Sequence, residues 1–248
     1  MTDPKAGYFL TGNRNLGCLL LHGFTSTPAE LRPLADSLHQ MGYSVYCPLL
    51  AGHGRSSAAL FGIRYQDWLK TADSGYARLK DECSQVIVLG HSMGGLLALH
   101  LAYQYQLDGL VLLAAALEPT NWWLKYAKFF QYIVPYGSWK RKERPPHQQQ
   151  YLLGYDRYPI SSVNQLYQLI KATEDILPEI EVATLITQGT RDKTVRPTSV
   201  ERISNQIRSK QKEIFWLEDT GHNLTVADNN IVLFAKIHEF ISALEQSS

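Results

Sequence analysis

A short apolar run, Val86-Ile87-Val88-Leu89, ends in Gly90-His91-Ser92-Met93-Gly94-Gly95 and passes directly into Leu96-Leu97-Ala98-Leu99-His100-Leu101-Ala102. The β-branched run reads as a buried strand and the leucine-alanine run as a helix. Only a very sharp turn joins the two, and Ser92 stands at its apex between Gly90 and Gly94. Glycines on either side leave room where the chain passes close to its neighbours. Such a turn forces the serine into a strained backbone conformation and lifts its hydroxyl clear of the sheet. The N–H of Met93 then points from a helix N-terminus to a place where negative charge could collect on an oxygen. Ser92 is therefore the candidate nucleophile.

The rest of the chain supplies a frame of the right kind. Its 248 residues, 45% hydrophobic and 19% charged, suffice for one large α/β domain. A formal net charge of +1 gives no electrostatic reason to bind nucleic acid or an anionic membrane. Residues Met1 to Ala6 carry no signal-peptide pattern, and the apolar run Leu16 to Leu21 is too short to span a bilayer. Cys18, Cys47 and Cys83 form no CxxC pair, so reduced thiols, a cytoplasmic location and no structural zinc are expected.

Further strands are expected at Leu16 to His22, Tyr43 to Pro48, Gly109 to Ala115, Val182 to Gly189 and Glu213 to Leu217. Helices fall between them. One opens at Thr27-Pro28-Ala29-Glu30, where Thr27 can cap, Pro28 suits the first helical position and Glu30 completes a capping box. Gly42 ends it. Another is expected around Asp67 to Asp81, and a closing helix carries Leu233, Phe234, Ile237, Phe240, Ile241 and Leu244. The alternation implies a mainly parallel, doubly wound sheet with helices on both faces and the site at the carboxyl ends of the strands.

From Glu118 to about Ile180 the alternation stops and aromatics accumulate. Helical spacing is plausible over Trp122 to Tyr132 and over Val163 to Ile170, with a charged loop, Lys140 to Pro146, between them. The expected organisation is a core of residues 1–117 and 181–248 carrying an inserted helical lid, 118–180. Most of its aromatics must pack it onto the core. Phe129, Phe130, Trp122 and Trp123 are the candidates to wall an apolar substrate pocket. The basic loop reads as a solvated turn.

A serine needs a base to take its proton, and the base works best when a carboxylate fixes its tautomer. On this kind of sheet the order is serine, acid, histidine, with the last two on loops after later strands. Asp192, past the strand ending at Gly189, and His222, past the strand ending at Leu217, fit. Asp219 and Glu218 could substitute as the acid, although they lie beside His222. His22, His53, His91, His100 and His238 precede the serine, flank it or lie in helices, and His22 and His53 read as satisfied loop residues that brace the site. The backbone N–H of Phe24, after Gly23, is the expected second oxyanion donor beside Met93.

Taken together, Leu21-His22-Gly23-Phe24-Thr25, Gly52-His53-Gly54, Gly90-His91-Ser92-Met93-Gly94, Gln188-Gly189-Thr190-Arg191-Asp192 and Thr220-Gly221-His222 resemble the α/β-hydrolases of the bacterial carboxylesterase and monoacylglycerol lipase group. The motifs span residues 16 to 222 and leave the lid unmatched. The resemblance implies hydrolysis of short- to medium-chain acyl esters through an acyl-serine, without metal or cofactor, on a small-molecule ester. Leu49-Leu50-Ala51 before Gly52 departs from the polar or acidic residue many relatives carry, at the pocket rim rather than the triad. A monoacylglycerol lipase would differ only in pocket and lid. A thioesterase or peptidase would share the triad, and an aspartate-nucleophile enzyme or a non-catalytic member is disfavoured by the filled positions.

Overall fold

The computed structural model describes residues 3–138 and 144–247. Its frame is a seven-stranded sheet ordered β1-β3-β2-β4-β5-β8-β9. The strands are β1 (Tyr8–Leu10), β2 (Leu16–Leu21), β3 (Ser44–Cys47), β4 (Gln85–His91), β5 (Gly109–Leu113), β8 (Thr184–Gly189) and β9 (Lys212–Leu217). Only β1 runs antiparallel, against β3; the other neighbours are parallel. The mainly parallel, doubly wound sheet read from the sequence is the fold observed. The edge strand β1 was not expected.

The central strands are apolar on both faces because both faces are covered. Leu19, Val88, Leu110, Leu112 and Ile186 join one core with helices α2 (Tyr65–Glu82) and α3 (Met93–Gln104). Their neighbours Cys18, Leu20, Ile87, Leu89, Val111 and Leu185 face the other core, with α1 (Arg32–Gln40) and α8 (Asn230–Ser247). Successive residues of a strand point to opposite faces, so one continuous apolar run fills two cores. Each fully buried Leu, Val or Ile side chain contributes about 1.5–3 kcal/mol. Helix α7 (Thr198–Gln206) covers β8 and β9.

Between β5 and β8 the chain leaves the sheet. It forms a short turn of helix at Trp122–Tyr126, α4 (Ala127–Phe130), β6 (Tyr136–Ser138), α5 (Pro146–Gln149), β7 (Arg157–Pro159) and α6 (Ile160–Ile176). Strands β6 and β7 pair antiparallel, an element the aromatic spacing did not reveal. Helix α6 presents Leu166, Leu169 and Ile170 to the core beside α3 and α4. Residues 140–143 of the charged loop lie outside the described residues, as does the side chain of Trp122.

One expectation needs correction. Thr27 makes no capping hydrogen bond; a tight turn at Pro28–Leu31 precedes α1, and the Glu30 side chain turns inward instead. Phe129 and Phe130 are 60% and 46% exposed. Helix α4 is a single turn, Ala127–Phe130, with Ala127 buried. Trp123, by contrast, is partly buried against the core.

The backbone carries the tightest packing beside Ser92. A Cβ on Gly94 would lie 2.0 Å from the Leu21 carbonyl oxygen, and one on Gly90 would lie 2.2 Å from the Gly94 carbonyl oxygen. Backbone atoms cannot yield as a flexible side chain can. Gly94→Ala is therefore expected to cost at least the ~1–3 kcal/mol typical of overpacked cores. Urea titration checks this, and an unchanged midpoint would contradict the close approach.

Candidate active site

Strand β4 ends at His91 and α3 begins at Met93, leaving Ser92 alone to turn the chain. It does so at φ 55° and ψ −115°, a conformation that costs a non-glycine residue about 1–3 kcal/mol. Hydrogen bonds hold it there. The Ser92 N–H donates to the Leu113 carbonyl at 2.9 Å, and the Ser92 carbonyl accepts from Gly95 and Ala116 at 3.0 and 3.1 Å. The strain read from the Gly-x-Ser-x-Gly spacing is present.

The loops after β8 and β9 bring Asp192 and His222 to this turn. The Ser92 Oγ lies 2.9 Å from His222 Nε2, and His222 Nδ1 lies 2.8 Å from Asp192 Oδ2. The carboxylate can only accept, so Nδ1–H donates to it and Nε2 keeps a lone pair for the serine hydroxyl. The other Asp192 oxygen accepts from the N–H groups of Thr194 and Val195, at 2.7 and 3.1 Å. The Asp192 side chain is 1% exposed. Burial would push its carboxyl up, but the hydrogen bond and charge of His222 and the two N–H donors hold it below the ordinary range. The alternative acid, Asp219, pairs instead with Arg191 at 2.6 Å on the surface.

Facing the serine is the loop after β2. Its amides are engaged on either side of Phe24: Gly23 N–H donates to Glu30 Oε1 at 2.6 Å, and Thr25 N–H donates to His53 Nε2 at 3.1 Å. Among the described residues the Phe24 N–H forms no hydrogen bond. Met93 N–H stands at the first turn of α3, where no preceding turn supplies an acceptor.

His22 and His53 brace this loop. His22 Nδ1–H donates to the Gly23 carbonyl at 3.0 Å while its Nε2 accepts from Leu50 N–H at 3.1 Å. His53 Nδ1–H donates to the Ala51 carbonyl at 3.0 Å. Each ring thus donates once and accepts once, the pattern of a neutral imidazole. Burial lowers both, and with His22 nearby it takes His53 down to about 3. His100 is lowered to about 4 by burial and bonds Thr173, while His238 meets Ser37.

Two groups near the site escaped the sequence reading. Tyr155 N–H donates to the Thr25 carbonyl at 2.8 Å, its ring stacks on His53, and Tyr158 packs against Phe24. These tyrosines, rather than Phe129 and Phe130, bring the inserted segment to the site. The spacing of aromatics carried no signal that could separate them. The second group is Glu30 with His91, whose rings and oxygens meet 61 residues apart in the chain. A surface hollow of about 380 Å³, lined by residues including Pro33, His147 and Asp228, shares no residue with these groups. Among the described residues no His, Cys, Asp and Glu cluster could hold a metal ion, and no helix is long and apolar enough to cross a membrane.

The neutral state of His53 has a measurable consequence. Its folded value lies below the unfolded one, so its contribution to stability is full above about pH 6.5 and is lost as pH falls towards 3. Between about pH 6.5 and 5, above the carboxylate range, each such histidine adds ~1.4 kcal/mol per pH unit to the slope of stability. His53→Gln should flatten that slope by about one proton. Urea midpoints across the window test it, and an unchanged slope would mean that His53 takes up a proton in the folded state.

Known proteins share this frame over nearly its full length. A carboxylesterase of Bacillus subtilis (strain 168) is 27% identical over 246 residues, covering 99% of each chain. A thermostable monoacylglycerol lipase of Bacillus sp. (strain H-257) is 31% identical over 238 residues, 94% of this chain and 93% of that one. A solved structure from work on the metagenome-derived lipolytic enzymes LipS and LipT superposes with a TM-score of 0.90 at 27% identity, covering 97% and 98% of the two chains. Residues 13–229, from the turn before β2 to the loop beyond His222, match the family described as serine aminopeptidase, S33, and the chain belongs to that family of α/β-hydrolases.

Proposed function

We propose that this chain is a carboxylesterase that cleaves small-molecule esters of short- to medium-chain acids through an acyl-serine intermediate. The observation that carries the reading is the continuous chain of hydrogen bonds from Ser92 Oγ through His222 to the buried Asp192 carboxylate. Ser92 Oγ attacks the ester carbonyl as His222 Nε2 takes its proton, and the N–H groups of Phe24 and Met93 receive the charge on the carbonyl oxygen. The imidazolium returns the proton to the leaving alcohol. Water then attacks the acyl-serine, gives a proton to His222, and releases the acid as that proton returns to Ser92. Asp192 stays ionised throughout and holds the ring in place.

The names of the two Bacillus relatives support ester cleavage, and one of them favours a second reading, monoacylglycerol lipase. Residues 118–180 act as a lid in either reading. The support for that role is the contact of Tyr155 and Tyr158 with the loop carrying Phe24. A cytoplasmic location is supported by three buried, unpaired cysteines.

Ser92→Ala should lose ester hydrolysis on the order of 10^4-fold or more while keeping the fold, and His222→Ala should match it with little added by combining the two. Asp192→Asn should be severe with residual activity. Labelling by an organophosphonate, followed by turnover, is the check; retention of labelling in Ser92→Ala would falsify the assignment. An ester panel graded by acyl length and alcohol separates the two readings, since preference for glycerol monoesters selects the lipase. Because their rings face solvent, Phe129→Ala and Phe130→Ala are expected to leave the chain-length profile superimposed on the wild type. A shifted profile would place those rings against the acyl chain.

A further inference from the structure

Glu30 and His91 are buried side by side under the site. Glu30 Oε1 accepts from the Gly23 N–H at 2.6 Å and from His91 Nδ1–H at 3.0 Å, and its Oε2 accepts from the Ser26 hydroxyl at 2.5 Å. The other nitrogen of His91, Nε2, faces the backbone carbonyl of His222 at 3.0 Å. Both partners of His91 are acceptors, so both of its nitrogens must donate, and the ring is an imidazolium paired with a carboxylate.

From this arrangement we infer that Glu30 and His91 are positioning residues that hold the loop bearing Phe24 and the loop bearing His222 in register with Ser92. The inference rests on the triad reading above. Three segments distant in sequence meet at the pair. The amide next to Phe24 hangs on the carboxylate, His91 directly precedes Ser92, and the carbonyl of the base itself hangs on the imidazolium. The Glu30 carbonyl also accepts from the Thr225 hydroxyl at 2.6 Å, tying the same turn to the chain just past His222. The ring nitrogens of His222 bond Asp192 and Ser92 rather than this pair, and the His91 ring packs against the His222 ring at 4.9 Å between centroids.

The electrostatics agree with the geometry. Burial would raise Glu30, but His91, with smaller help from His22 and Ser26, holds it at about 2. Burial would lower His91, but Glu30, the His222 carbonyl and the more distant Asp192 raise it. Glu30, His22, Asp192 and His222 are thus the titratable groups around the ring, the first two from the connection between β2 and α1 and the others from the loops after β8 and β9. A neutral substitute at either position cannot reproduce the pattern. A glutamine at 30 presents one acceptor oxygen where the carboxylate satisfies three donors, and a glutamine at 91 cannot aim two donors in opposite directions from a rigid ring.

The test compares Glu30→Gln, His91→Gln and the double variant, with kcat expressed per site counted by phosphonate titration so that misfolded protein drops out, and Ser92→Ala, which has no site to titrate, with turnover expressed per folded protein. Misplacement of about 1 Å at a catalytic group costs on the order of 100-fold, so each single variant should lose ~10–100-fold in kcat with KM changed less than about threefold. The double variant should be no worse than the poorer single one, because the pair acts as a unit. Affinity for a boronic acid, whose adduct places an oxygen at the Phe24 and Met93 amides, should fall in step with kcat. Wild-type kcat per titrated site, a change in KM alone, or independent additive losses would each overturn the inference. Ser92→Ala keeps the two readings apart: if it still turns over, the triad reading fails, whereas a dead Ser92→Ala beside fully active pair variants defeats only the positioning role. Should the variants not fold, the wild-type protein still decides. Nitrogen-15 histidine spectra at about pH 8, where an ordinary ring is neutral, should show one of the eight rings protonated on both nitrogens. Eight neutral rings would overturn the inference.

Discussion

The forced turn at Ser92 governs how the rest of the molecule is arranged. A strand that ends and a helix that begins one residue later leave no space for an ordinary connection, so the serine adopts a positive φ and its hydroxyl is thrust outward. Neighbouring backbone keeps it there: β5 accepts its N–H, the chain after β5 donates to its carbonyl, and Gly94 lies against the end of β2. The strain of about 1–3 kcal/mol is set against those bonds and against two cores that bury every residue of β2 and β5. A parallel sheet then supplies the remaining groups, because its strands all end on one side and each following loop can contribute one residue. Phe24, Ser92, Asp192 and His222 come from four such loops.

Histidine is used in opposite protonation states within a few ångströms. His22 and His53 each face one donor and one acceptor and stay neutral; His91 faces two acceptors and is charged; His222 faces an acid on one side and the serine hydroxyl on the other. The difference arises from the partners, not from exposure, since the first three are all buried. Two neutral rings beneath the Phe24 loop can stiffen it without adding positive charge, while the single positive ring is matched by the single carboxylate of Glu30. That balance lets a buried cluster of titratable groups sit beneath a site where negative charge must develop on one oxygen.

Much of this was legible in the sequence where a residue's role is set by its near neighbours in the chain. The glycines around Ser92 announce the turn, the apolar runs announce buried strands, and the order Ser92, Asp192, His222 follows from successive strand ends. Roles set by distant neighbours were not legible. Thr27-x-x-Glu30 fits a capping box on paper, but Gly23, Ser26 and, 61 residues away, His91 hold the carboxylate inward. His91 flanks the serine in the chain, and nothing in that position announces a partner 61 residues away. Strand β1 has three residues at a sheet edge, too few for alternation to show. Phe129, Phe130, Tyr155 and Tyr158 all belong to the aromatic-rich segment, yet the first pair is exposed and the second packs against Phe24 and His53, contacts that no spacing within the segment encodes.

The central claim is that Ser92 Oγ forms and breaks an ester bond with the acyl group of the substrate. It is tested most directly by acid-quenching the enzyme during turnover of a slowly deacylated ester and mapping the adduct by peptide mass spectrometry. The account predicts one acyl group, matching the substrate's acid in mass, on the peptide that carries Ser92, and its disappearance when substrate is exhausted. Turnover at full rate with no adduct on that peptide, or with the acyl group on another residue, would contradict it.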